Sequence, residues 1–283
     1  MKKILITGAK GLMGQYLREV LDGSYEVYAL DKYQLDITDR EQVLKTVGEI
    51  KPGYIINAAA FTNVDQAEIK REQAYAVNVT GVENIMEAAK EQGSILIHFS
   101  TDYVFDGKKR TPYNEDDPKN PLNYYGLTKH LSEEKIISSG YDKYFIIRPA
   151  WIYGKYGNNF FHLILKLAGQ DEVLQITNDQ TGSPTYARDL ARFVKFLIDR
   201  SISGFGIYHF SNEGSCTRYE QAKALLDLLG IKKKIIPVPS SVFKPMARRP
   251  AYSVLSKEKV KKQFDYPVPH WKDSLEQFIK SDI

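Results

Sequence analysis

Short apolar runs alternate along the chain with longer segments whose apolar residues recur at helical spacing. "KILIT" (3–7), "YEVYAL" (25–30), "YIINAA" (54–59), "SILIHFS" (94–100) and "YFIIR" (144–148) have the length of strands. Ile4, Leu5 and Ile6 run without a polar residue between them. A strand that is apolar on both sides of its pleat is covered on both sides, as in a parallel sheet sandwiched between helices. Helical segments lie between the strands at Leu12–Leu21, Asp39–Ile50 and Arg71–Gln92, the last stopped by Gly93, and a further helix runs after Asn123 through "YYGLTKHLSEEKII". This alternation predicts an α/β protein with a Rossmann-type, doubly wound parallel sheet.

From about residue 150 the rhythm loosens. "RPAWIYGKYGNNF" is rich in aromatics and glycine, and "NDQTGSPT" reads as a polar loop. The last third mixes short strands such as "GIYHF" with helices at Tyr219–Leu229 and Trp271–Ile279. The expected organisation is a Rossmann domain over 1–150 and a smaller C-terminal α/β lobe over 151–283, with some segments returning to the first domain. A lobe above the carboxyl edge of the sheet closes a ligand cleft there.

Charge adds little, because 39 basic and 35 acidic side chains leave a formal +4. No basic run is long enough for a phosphate-backbone footprint, so no nucleic-acid partner is expected. No apolar run approaches the ~20 residues that span a bilayer, so no membrane partner is expected. The single cysteine, Cys216, reads as a small buried side chain in a reducing compartment. The N-terminal "MKKILITGAK" has too short an apolar run for a signal peptide, and a cytoplasmic protein is expected.

The candidate chemistry begins at "ITGAKGLMG", where Gly8, Gly11 and Gly14 follow the first strand and open the first helix. At this place in a strand–helix–strand unit they suit a tight turn, close approach to a pyrophosphate and close helix packing, respectively. The 1–150 domain is therefore expected to bind a dinucleotide. Asp31 ends the second strand, where a carboxylate accepts from adenosine ribose hydroxyls and favours NADH. Lys32 beside it could offset a 2'-phosphate, so the cofactor is NADH or NADPH.

In "NYYGLTK", Tyr125 and Lys129 are four apart and share a helix face, whereas Tyr124 pairs with the uncharged Thr128. A tyrosine of pKa ~10 needs about 4 kcal/mol of phenolate stabilisation to work near neutrality. One ammonium at ~4 Å supplies that in an effective dielectric of ~20, which selects Tyr125. Ser100 and Thr101, in "FSTDYVFDG", bring hydroxyls to the carboxyl edge, where either can bond a carbonyl oxygen as it becomes an alkoxide.

These residues resemble the extended short-chain dehydrogenase/reductase superfamily, and within it the rhamnose-type nucleotide-sugar reductases. The resemblance covers nearly the whole chain, through "TGAKGLMG", "LDITD", "NAAAFTNVDQAE", "STDYVFDG", "YYGLTK", "RPAWIYG", "DQTGSPTYARDLA", "RRPAYSVLS" and "PHWKDSLEQFI". It implies reduction of the C4 ketone of dTDP-4-dehydro-6-deoxy-L-mannose, with Tyr125 as proton donor, Lys129 on the nicotinamide ribose and Thr101 on the reacting oxygen; a related nucleotide-sugar 4-ketoreductase making another deoxysugar would keep the same residues and is the alternative. It further implies Gly11, Leu12 and Met13 at the pyrophosphate, Asp31 at the ribose, Asp36 and Ile37 at the adenine, and Ala60, Phe61 and Thr62 along the cofactor. Thr101, Asp102, Tyr103 and Trp151 are implied as contacts to the sugar nucleotide, the expected small-molecule partner. Asn78 is implied as a support for the lysine; a locally bonded helix amide is the alternative.

Two departures from the family pattern stand out. Tyr252 replaces a usual asparagine, and Gln15 and Tyr16 stand where some relatives carry glutamate for a magnesium-bridged dimer. No metal is therefore expected; a homodimer of another kind stays open. Arg248 and Arg249 are candidates for a diphosphate. A 4,6-dehydratase is disfavoured because Thr101 is followed by Asp102 and Tyr103 rather than by two carboxylates. A non-catalytic NADP-binding regulatory subunit, the other relative of this fold, has no need of Tyr125 and Lys129.

Overall fold

The computed structural model describes residues 1–170 and 173–283. Six strands, β1 (Lys3–Thr7), β2 (Glu26–Leu30), β3 (Tyr54–Asn57), β4 (Ile95–Phe99), β5 (Tyr144–Arg148) and β6 (Gly206–His209), form one sheet. Their order is β6-β5-β4-β3-β1-β2, and every pairing is parallel. The five early strands fall where the apolar runs place them, within two residues at either end. The sixth is the short strand expected at "GIYHF" in the last third; it pairs along β5, Gly206 beside Phe145 through His209 beside Arg148, so a late segment completes the first sheet.

Side chains alternate between two buried faces, which is why the strands read as unbroken apolar runs. Ile4 and Ile6 join one cluster with Tyr16 and Leu17 of α1 (Leu12–Leu21) and with Leu190 and Val194 of the helix Ala187–Asp199. Leu5, Ile55, Leu96 and Ile146 join the other. That second face is covered by α2 (Arg40–Ile50), α3 (Gly81–Gln92) and α4 (Tyr124–Ser138). Asp39 caps α2 by accepting from Gln42 N at 3.0 Å.

The expected helix Arg71–Gln92 is divided into Arg71–Tyr75, a π turn at Ala76–Thr80, and α3. A preceding short helix, Val64–Ile69, is capped by Asn63. The remaining chain adds the parallel pair Leu174–Thr177 with Ile235–Val238, two further two-residue pairings, and helices including Phe160–Ala168, Arg218–Leu228 and Trp271–Asp282. Among the described residues no helix is long and apolar enough to cross a membrane.

The chain leaves β1 toward β2 on one side and returns to β3 on the other. The crevice above the carboxyl ends of β1 and β3 is the switch point at which open α/β sheets bind ligands.

Candidate active site

Gly8 turns the chain out of β1 at φ +66°, and a Cβ there would sit 2.7 Å from Ala59 Cα, so only glycine fits between the turn and the end of β3. A Cβ on Gly14 would lie 2.4 Å from the Gly8 carbonyl oxygen, so the first turn of α1 presses on the same loop. Gly11 is the N-cap and supplies no side chain to the free N–H groups of α1. Gly11, Leu12 and Met13 line a cleft of about 420 Å³ together with Ala60, Thr62, Thr101, Tyr125 and Trp151.

Asp31 lies just past β2 and pairs with Lys10 Nζ at 2.5 Å, while accepting from Tyr33 N at 2.8 Å. The Lys10 hydrogen bond holds its carboxyl below the ordinary range. The cation beside Asp31 is thus Lys10 and not Lys32, which is exposed over the Tyr33 ring. Asp36 is exposed and accepts from Thr38 N at 2.9 Å; Ile37 is buried, and its carbonyl receives the Asn84 amide at 2.9 Å. Asn78 is tied to Phe61 and to Thr128, the residue before Lys129. Its amide accepts from Phe61 N at 2.8 Å and donates to Phe61 O at 3.1 Å and Thr128 Oγ1 at 3.0 Å, clamping the segment after β3 to α4.

Asn123 caps α4 through Gly126 N at 2.8 Å and ties the helix to the Arg248 carbonyl, also at 2.8 Å. Tyr125 faces the cleft, with Tyr103 edge-on at 6.0 Å. Tyr124 turns away under the Arg71 guanidinium. Of the two hydroxyls at the β4 edge, Ser100 is committed to Glu133, itself held by Arg148 at 2.6 and 2.8 Å in a fully buried pair. Thr101 remains at the cleft, donating to Asp102 Oδ1 at 3.0 Å and accepting from Tyr103 N at 3.2 Å.

The electrostatics differ from the sequence expectation. Lys129 is buried, its Nζ 3.2 Å from His98 Nε2, and burial draws its pKa down to about 7, with Glu133 pulling the other way. The Tyr125 phenol is raised by burial, the neighbouring Thr101 hydroxyl acting against that, and Lys129 is not among the groups that act on it. The expectation counted the attraction of an ammonium and left out the desolvation of a phenolate, which here is the larger effect.

On the opposite wall Trp151 adopts φ +49°, a left-handed conformation rare for a bulky residue. Its indole occupies the space a Cβ on Gly182 would need, 2.4 Å away, and the Arg218 guanidinium stacks on it at 3.6 Å. Arg218 and Tyr103 border both the cleft and a second cavity of about 440 Å³ that also touches Asp65, Phe160, Phe243 and Arg249. Arg249 is paired bidentately with Asp65 at 2.6 and 3.2 Å, whereas Arg248 is exposed. Tyr252 packs against the Val104 and Phe105 cluster.

Arg218 and His98 escaped the sequence reading. Arg218 follows the capping-box threonine Thr217, which signals a helix start and nothing about a ligand wall. His98 was visible only as a polar residue inside an apolar strand.

Residues 1–283 match the family model described as the RmlD substrate binding domain. The dTDP-4-dehydrorhamnose reductase of Aggregatibacter actinomycetemcomitans is 39% identical, with 97% of this chain and 97% of the relative covered. The spore coat polysaccharide biosynthesis protein SpsK of Bacillus subtilis is 40% identical over 99% of this chain and 98% of its own. The crystal structure of a dTDP-4-dehydrorhamnose reductase from Bacillus anthracis in complex with NADP aligns with a TM-score of 0.95 at 40% identity, covering 99% of either chain.

Proposed function

The chain belongs to the RmlD substrate binding domain family, and from that premise we propose that it is an NAD(P)H-dependent oxidoreductase reducing the C4 ketone of dTDP-4-dehydrorhamnose to dTDP-L-rhamnose, the last step of dTDP-rhamnose synthesis. The observation that carries this reading is that Tyr125 and Thr101 meet in one cleft with the glycine turn on one wall and Trp151 on the other.

The glycine turn suits a dinucleotide. Gly8 and Gly14 leave no space for a Cβ, and the uncapped N–H groups of α1, a helix of 10 residues, suit a pyrophosphate. Asp31 stands where ribose hydroxyls need an acceptor, and Lys10 lowers the repulsion a 2'-phosphate would meet there. A reduced nicotinamide, when bound, would supply the hydride that becomes the C4 hydrogen.

The chain's own residues supply the rest. Thr101 holds the ketone oxygen through its hydroxyl. Tyr125, which burial keeps protonated, delivers its proton to that oxygen as alkoxide character develops, because an alkoxide is a much stronger base than a phenolate. Lys129 supports the nicotinamide ribose. Asp102, Tyr103 and Trp151 contact the sugar, and Arg218 takes the diphosphate at the junction of the two cavities, with the nucleoside in the second.

Purified protein should oxidise NADH or NADPH only when the ketosugar is added, and NMR of the product should show the L-rhamno configuration at C4. Tyr125→Phe should slow turnover by about 100-fold or more. No oxidation with the ketosugar would refute the reaction, and wild-type turnover by the Phe variant would remove Tyr125 from its role.

A further inference from the structure

Thr7, Asn57 and His98 are register partners across β1, β3 and β4, so their side chains stand in a row on one face of the sheet. All three are fully buried and bonded in sequence. Thr7 Oγ1 donates to Asn57 Oδ1 at 2.7 Å, and Asn57 Nδ2 meets His98 Nδ1 at 3.3 Å. At its far end His98 Nε2 lies 3.1 Å from Ser132 Oγ and 3.2 Å from Lys129 Nζ.

Proton positions in this row follow from its ends. The Asn57 carbonyl oxygen receives both Thr7 and the backbone N–H of Ala59, so its NH₂ group must face His98. His98 Nδ1 is therefore an acceptor, and the ring proton sits on Nε2. The other end agrees independently. Ser132 spends its own proton on the Lys129 carbonyl at 2.7 Å, so toward His98 it can only accept. Burial also keeps the ring neutral.

An ammonium has three N–H groups and no acceptor, whereas a neutral amine offers a lone pair to an N–H. The one Nε2–H lies within reach of both Ser132 Oγ and Lys129 Nζ, so this edge of the ring offers the lysine an N–H and no acceptor, a setting that favours its uncharged form. The charged groups around this pair are Glu133 and Arg148, bonded to each other, and Tyr125 lies one turn before Lys129 on α4. Thr7 directly precedes Gly8, so the row also joins the lysine to the cofactor turn.

We propose that His98 is a positioning residue for the reduction, held as the Nε2–H tautomer by Thr7 and Asn57, and that it orients the Lys129 amine and governs when it takes up a proton. This rests on the role given to Lys129 above.

Nitrogen-15 NMR of histidine-labelled protein should show His98 as the neutral Nε2–H form from about pH 5 to about pH 9; a Nδ1–H or charged ring overturns the proposal. In turnover, His98→Leu should lower kcat by about 10- to 100-fold, the range for partners that orient a functional side chain. It should also move the lysine-dependent limb of the pH profile upward, because the opposing N–H is gone. His98→Gln, which can place an amide N–H near the Nε2 position, should keep the parental profile. Thr7→Val, nearly isosteric, should shift the limb in the same direction with unchanged NAD(P)H affinity, and it serves if the Leu variant does not fold. Leu and Gln variants equally slow with the parental pH profile would make His98 merely structural and overturn the proposal. Lys129→Met separates the two readings: if it turns over normally the role of Lys129 falls, and if it is inactive while His98→Leu is unaffected only the present proposal falls.

Discussion

Asp102 is a carboxylic acid in a dry place. It is buried, its Oδ2 has no hydrogen-bond partner among the described residues, and burial lifts its pKa from 3.8 to about 6. Between those values the folded chain holds a proton that the unfolded chain has released, so stability falls as pH rises. The loss is complete above about pH 6 and reaches at most about 3 kcal/mol. Asp102→Asn should therefore be more stable than the parent at about pH 8 and level with it near pH 4, which urea midpoints at both pH values will check. The same variant should bind the ketosugar less well, since a group kept at such cost fits a ligand contact. Across the cleft, Gly182→Ala would drive a methyl into the Trp151 indole from 2.4 Å. Overpacking of this kind costs about 1–3 kcal/mol. It should raise KM for the nucleotide sugar several-fold and leave cofactor affinity unchanged, a split that steady-state kinetics with either ligand varied will show. The tyrosine–lysine spacing and the glycine turn were legible at this scale because each is a local rule. The desolvation of the Tyr125 phenol, the Arg218 stack and the His98 contact depend on which segments become neighbours, and local spacing holds no record of that.

Among the elements, the π turn at Ala76–Thr80 adds one residue to a helical turn and carries Asn78. From there the Asn78 amide reaches Phe61 on the segment after β3 and Thr128 on α4, joining a cofactor wall to the helix of Tyr125 and Lys129. Asn78→Leu would leave the Phe61 backbone groups without these partners, at about 1–3 kcal/mol for each buried group left unpaired. Weaker cofactor binding and a lower urea midpoint are expected together; a lower midpoint with unchanged affinity would confine Asn78 to stability. The sequence pattern read Arg71–Gln92 as one helix because a π turn leaves the apolar spacing almost intact. The helix Val64–Ile69 was missed although Asn63 is a good cap, since six residues give too little periodicity to recognise. Strands, by contrast, were placed closely, because burial on both faces forces a run of apolar residues that few other structures need.

For the whole molecule, the end of the chain is fastened to its beginning. Asp282, with no exposed side-chain surface, accepts from Tyr186 Oη and Arg188 Nη2 at 2.7 Å each and from Tyr16 of α1. Tyr16 stands where the sequence suggested only a missing metal ligand, and its place is this C-terminal clasp. Asp282→Ala would leave the Tyr16 and Tyr186 hydroxyls without this acceptor, while Glu19 still pairs Lys155 and Arg188, and should cost about 1–3 kcal/mol. Because α1 also presents Gly11 to the cleft, NAD(P)H affinity should fall with it, as titration of the folded variant will measure.

The place of β6 at the edge beside β5 has a consequence for how the chain is made. Fifty-seven residues lie between Arg148 and Gly206, so at ~5–20 residues per second a ribosome adds the missing strand roughly 3–11 s after β5 emerges. Through that interval the nascent chain carries an open parallel edge of Phe145, Ile146 and Ile147, and the Arg148 carbonyl waits for Phe210 N. Such an edge is a template for pairing with another chain. Synthesis of this protein should therefore lean on whatever shields nascent strands in the cell, and a chain released at residue 150 would be a substrate for aggregation rather than a free-standing cofactor domain.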